Sequence, residues 1–82
     1  MITVSLYGLY RLQAKEARYE LGDAKDVREL LQYLEAAAGI PCKELKKAVI
    51  FVNGTPIDKS GMFRTKLHGG DRVSVLSPAS GG

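Results

Sequence analysis

The strongest constraint in this sequence is a single amphipathic helix pattern between Asp26 and Gly39. Val27, Leu30, Leu31, Leu34 and Ala38 recur at helical spacing and form one apolar stripe. Arg28, Glu29, Gln32 and Glu35 fall on other faces. Asp26, followed three residues later by Glu29, has the form of a capping box. Gly39 is placed to end the helix in the left-handed conformation, and Pro41 is expected to prevent its resumption. A stripe on one side must be covered by another layer, and the rest of the chain offers strands.

Ile2, Val4 and Leu6 alternate with Thr3, Ser5 and Tyr7, the period of a strand with one buried face. Gly8 breaks that pattern and predicts a turn or bulge. Ala17, Tyr19 and Leu21 alternate again, so the first two strands read as a hairpin closed by a loop. The run Ala48-Val49-Ile50-Phe51-Val52 is apolar throughout and predicts a strand buried on both faces or nearly so. Asn53-Gly54 is a turn signal, since both residues tolerate positive φ. Thr55, Pro56 and Ile57 suggest a short return strand that Pro56 confines to an edge. Residues 59–68 look irregular, with Leu67 as core anchor, and residues 68–71 form a turn. Arg72 to Leu76 alternates as a last strand.

The expected fold is therefore α+β. One main helix covers a mixed sheet of four to five strands, and the last strand returns beside the first. That arrangement is a β-grasp, or ubiquitin-like, roll. At 82 residues there is room for one small domain, expected over residues 1–76. Residues 77–82 show no apolar periodicity and are expected to form a flexible tail.

Composition excludes several classes of function. Hydrophobic residues at 45% and charged residues at 26% are ordinary globular usage and argue against wholesale disorder. No apolar run approaches the roughly 20 residues of a membrane span, and no membrane partner is expected. The N-terminus lacks the basic-then-apolar layout of a signal peptide, so the chain is expected to be cytoplasmic. One cysteine excludes an internal disulfide and a multi-cysteine zinc site, and one histidine excludes a histidine cluster. No metal site is expected. The net charge of +3 is spread out, with Lys43, Lys46 and Lys47 as the one cluster, interrupted by Glu44. A solvated mixed-charge surface is the simpler explanation than nucleic-acid binding.

No residue set supplies catalysis. Asp23 with Asp26, and Glu16 with Glu20, are the closest carboxylate pairs, on loops or exposed strand positions. Gly69-Gly70 lacks the lysine and hydroxyl residue of a phosphate loop. Cys42, beside Lys43, could be an activated thiol, but a small buried or incidental thiol is the favoured reading. His68 reads as a turn residue. What stands out is the ending Pro78-Ala79-Ser80-Gly81-Gly82. A glycine carboxylate is the least hindered one a protein can present, and two glycines let the backbone thread a narrow channel. Such a carboxylate can be activated as an acyl-adenylate and attacked by sulfur or an amine.

These residues carry a resemblance. Ile2-Thr3-Val4, Val52-Asn53-Gly54, and Leu67-His68-Gly69-Gly70-Asp71-Arg72-Val73 leading to the terminal Gly-Gly stand in the order found in the ubiquitin-like sulfur carriers of the MoaD/ThiS family. The chain most resembles the small subunit of molybdopterin synthase. The resemblance implies that an ATP- and Mg²⁺-using adenylating enzyme of the MoeB/ThiF type activates the Gly82 carboxylate. Sulfur then replaces AMP and leaves a thiocarboxylate, which an acceptor such as the molybdopterin synthase large subunit consumes. The chain itself binds no cofactor and is not an enzyme on this reading. The resemblance further implies docking through an apolar patch on the exposed sheet face. By position, Tyr7 and Leu76 belong to it, with Pro78, Ser80 and Gly81 in the inserted tail and Pro56 at another contact. Leu76 could equally be core, and Tyr7 could cap the hairpin.

Three features depart from the family pattern. The segment Tyr7-Gly8-Leu9-Tyr10-Arg11 differs from the usual loop after the first strand. Ser77 replaces the first of two prolines before the tail. The chain is basic where many relatives are acidic. Other outcomes stay open: a carrier for thiamine thiazole synthesis or tRNA thiolation, a ubiquitin-like protein modifier, or a non-covalent β-grasp binding module.

Overall fold

The computed structural model describes residues 1–78, without the side chains of Lys59, Met62 and Phe63. The described residues form a five-stranded sheet in the order β2-β1-β5-β3-β4. The strands are β1 (Ile2–Tyr7), β2 (Arg18–Leu21), β3 (Val49–Val52), β4 (Thr55–Pro56) and β5 (Arg72–Leu76). β1 and β5 run parallel at the centre of the sheet, and every other pairing is antiparallel. The long helix α2 (Val27–Ala38) packs its stripe on one face of this sheet. The α+β β-grasp roll expected from the sequence is the fold observed.

α2 is built as its sequence dictates. Asp26 Oδ1 accepts the Glu29 N–H at 3.1 Å, and Glu29 Oε1 accepts the Lys25 N–H at 2.8 Å. Gly39 ends the helix at φ 77°, and its N–H donates to the Glu35 carbonyl. Val27, Leu30, Leu31, Leu34 and Ala38 are all buried. They meet Ile2, Val4 and Leu6 of β1, Ile50 of β3, and Val73 and Val75 of β5 in one core. Each leucine so buried contributes about 2 kcal/mol of transfer free energy. Leu67 joins the core, anchored where the Leu67 N–H donates to the Lys25 carbonyl at 3.0 Å.

The structure corrects three local expectations. The link between β1 and β2 contains a helix, α1 (Leu9–Gln13), rather than a plain loop. Tyr10 of α1 is buried, and its hydroxyl donates to the Glu44 carbonyl at 2.8 Å. Pro41 does not stop helix formation: it precedes a new short helix, α3 (Cys42–Leu45). Proline's fixed φ suits a helix start, where its missing N–H costs nothing. β3 is not buried on both faces. Ile50 is buried, but Val49 is 38% exposed and Phe51 is half-buried. Residues 59–68 include a 3-10 turn, Lys59–Arg64.

Candidate functional site

Side chains alternate across a strand, so one set of every strand faces α2 and the other faces outward. The outward set of β1 is Thr3, Ser5 and Tyr7, and that of β5 is Arg72, Ser74 and Leu76. Register brings Tyr7 directly beside Leu76, and Leu76 directly beside Val49. These three apolar residues form a row across the middle three strands. Tyr7 is 48% exposed, and Leu76 is half-buried on the outer face, so Leu76 is not a core residue. Phe51 and its partner Pro56 extend the apolar surface toward the β4 edge. Tyr7 and Leu76, singled out from the sequence, thus meet. Val49 and Phe51 were not singled out, because an unbroken apolar run carries no sign that one face stays open.

The row lies at the end of β5, where the chain leaves the sheet. Ser77 and Pro78 are half-buried there. The Leu9 N–H donates to Ser77 Oγ at 3.0 Å. Gly8 makes this close approach possible: its φ is 68°, and a Cβ there would run into Ser77 Oγ. Ser80, Gly81 and Gly82, together with Ala79, lie outside the described residues.

Two stretches that carried the resemblance lock together at the other end of β5. Asn53 Nδ2 donates to Asp71 Oδ1, and Asn53 Oδ1 accepts the Arg72 N–H, both at 2.9 Å. Asp71 Oδ2 also accepts the His68 N–H at 2.8 Å. Asn53 adopts φ 53° and Gly54 φ 84°, as the turn requires. The hydrogen bond from Asn53, with the second from His68, holds the Asp71 carboxyl below its usual range. These contacts set the start of β5 and hence its register in the sheet.

The remaining candidates have structural explanations. Cys42 is half-buried, with its Sγ 3.6 Å from the Leu31 carbonyl it donates to. Burial pushes its thiol up, Glu35 adds to this, and the pull of Lys46 is smaller. That environment favours the thiol over the nucleophilic thiolate. His68 is an exposed turn residue with Nδ1 4.0 Å from Asp71 Oδ2. Asp26 caps α2, while Glu16, Glu20 and Asp23 are exposed. Among the described residues no three histidine, cysteine or carboxylate side chains gather as a metal site. No described helix is long and apolar enough to cross a membrane.

The ThiS family model matches residues 4–82. The chain belongs to the ThiS family. It is thereby a member of the ubiquitin-like sulfur carriers and modifiers, whose members act as carrier proteins. Among solved structures, it is 30% identical to a chain in the complex of subunits 1 and 2 of molybdopterin-converting factor from Helicobacter pylori 26695. That match covers 99% of this chain and 97% of the other, with a TM-score of 0.68. Small archaeal modifier protein 1 from Methanosarcina acetivorans matches at 22% identity over 99% and 95% of the chains, with a TM-score of 0.75. The BexX/CysO complex from Amycolatopsis orientalis contains a chain matching at 22% identity over all of both, with a TM-score of 0.73. The latter two speak for the shared fold. No curated protein matches the sequence.

Proposed function

We propose that this ThiS-family chain carries sulfur as a thiocarboxylate on Gly82 and delivers it to the assembly of molybdopterin. The observation that carries this is the family match, which runs through the tail to residue 82. The 30% identity with a molybdopterin-converting factor chain found in complex with its partner subunit supports the choice of acceptor. The apolar row of Tyr7, Leu76 and Val49 beside the root of the tail supports docking of a partner there.

In the first step a Gly82 carboxylate oxygen attacks the α-phosphorus of ATP. Pyrophosphate leaves, and an acyl-adenylate forms. In the second step a sulfur nucleophile at the sulfide level attacks the acyl carbon, and AMP leaves with the C–O bonding pair. The product is a thiocarboxylate on an otherwise unchanged chain. Nucleotide, Mg²⁺ and catalytic groups belong to a MoeB/ThiF-type adenylating enzyme. This chain contributes a presented carboxylate and a docking face; Pro78, Ser80 and Gly81 lie in the part that enters the partner. On this reading the carrier works in the cytoplasm, where ATP-driven activation takes place.

The test is the intact mass of the chain after incubation with an adenylating enzyme of this type, ATP, Mg²⁺ and sulfide. A gain equal to one oxygen exchanged for sulfur, lost when Gly82 is deleted, is the expected result. An unchanged mass with an enzyme active on its own carrier overturns the reading. Consumption of the loaded chain by a molybdopterin synthase large subunit tests the acceptor. Isopeptide-linked conjugates without sulfur transfer would assign the chain to protein modification instead.

A further inference from the structure

The outer face of the sheet has two halves. One is the apolar row beside the tail. The other is polar, and its polar groups are unspent. Register places Arg18 beside Ser5, Ser5 beside Ser74, and Arg72 beside Thr3. With Tyr7 they line a surface concavity of about 410 Å³. None of these four hydroxyls and two guanidinium groups makes a hydrogen bond or ion pair with another described residue. Asn53, Asp71, Asp26 and Ser77, by contrast, all hold backbone groups.

No carboxylate lines the concavity. The acidic group nearest in register is Glu20, which stands opposite Thr3 on the far side from Arg72. It forms no ion pair with either arginine among the described residues. The result is a positive surface rich in donors that adjoins an apolar row along the same strands. A guanidinium receives a carboxylate through paired, charge-assisted hydrogen bonds, a geometry lysine cannot offer. Covering the neighbouring apolar row excludes water and strengthens such a pair. A free small anion would leave the row uncovered, whereas a protein segment can satisfy both halves together.

We propose, building on the sulfur-carrier reading, that Arg18 and Arg72 form the charged half of the docking face and receive carboxylate side chains of a partner protein whose apolar residues cover Tyr7, Leu76 and Val49. The apolar half supplies contact area near the tail. The arginine half selects partners with an acidic counter-surface and fixes their register on the sheet.

Two measurements test this on the full chain. The first is amide chemical-shift titration with the blocked tetrapeptides Glu-Glu-Leu-Leu and Gln-Gln-Leu-Leu. The acidic peptide is expected to shift Ser5, Tyr7, Ser74 and Leu76 more than the neutral one, and R18Q/R72Q to remove the difference. The second is thiocarboxylation by the adenylating enzyme. R18Q/R72Q is expected to raise the KM for the carrier about tenfold with kcat unchanged, an effect that added salt diminishes. R28Q/R64Q, on the opposite side of the fold, is expected to leave KM unchanged. Equal responses to the two peptides, or an unchanged KM in R18Q/R72Q, overturn the proposal. If the wild-type chain never gains sulfur, the carrier reading fails, and the peptide titration still decides the arginine proposal.

Discussion

Ser77 is seated on Gly8. Its hydroxyl accepts the Leu9 N–H at 3.0 Å, and the bare Cα of Gly8 leaves the space it occupies. The root of the tail is thereby tied to the turn after β1, on top of the Tyr7–Leu76 pair one residue back on each strand. Replacing Gly8 by alanine imposes a positive φ on a residue with a Cβ and pushes Ser77 away. Gly8→Ala is expected to cost about 1–3 kcal/mol in urea denaturation. Ser77→Ala, which loses one exposed hydrogen bond, should cost less, about 1 kcal/mol or under.

Presenting the carboxylate and docking the partner are separate tasks on the proposed mechanism. Deleting Gly82 should abolish sulfur loading and leave the thermal midpoint unchanged. Val49→Asp, placed at the β3 end of the solvent-facing apolar row, should raise the KM for loading about tenfold while the chain stays folded. Intact-mass kinetics and thermal melts on the same samples check both. A parallel collapse of stability in the Gly82 deletion would contradict this separation.

Cys42 should be dispensable for sulfur chemistry. Its thiol is held in the protonated form by burial and by Glu35. Cys42→Ser is expected to load sulfur at the wild-type rate, with a stability loss of about 1 kcal/mol at a half-buried site. Loss of loading would give the thiol a role that its surroundings argue against.

Asp71 makes stability fall in acid. Its carboxyl is depressed in the folded state by Asn53 and then by the His68 N–H. The folded state therefore favours the ionised form. The stabilisation is fully present above the unfolded carboxylate value of about 4 and is lost as pH falls through the lower folded value. Asp71→Asn should be less stable than wild type at neutral pH, and the gap should narrow as pH drops below about 4. Denaturation midpoints across that range measure it. An unchanged gap would remove Asp71 as its source.

How legible all this was in the sequence depends on how local each cause is. α2 was readable to the residue, because Asp26, Glu29 and Gly39 act within one turn of its ends. The Asn53-Gly54 turn was readable for the same reason. α1 was not: Gly8 at its start offers no capping side chain. What holds α1 is tertiary, namely Tyr10 reaching the Glu44 carbonyl and Leu9 reaching Ser77. The candidate site was half legible. Tyr7 and Leu76 came from resemblance, whereas Val49 and Phe51 were hidden in a run whose apolarity suits a buried strand and a docking face equally. Arg18 and Arg72 lie more than fifty positions apart, and only the pairing of β2 and β5 on either side of β1 puts them on one surface.

The same pairing has a consequence for how the molecule comes into being. β5 fills the gap between β1 and β3, so Thr3 waits for Arg72 before the centre of the sheet exists. A growing or truncated chain that stops short of Arg72 leaves two strand edges open, which invites pairing with other chains. Contacts this distant in sequence also slow folding. A chain that reaches its folded state has therefore already produced the strand from which the tail departs.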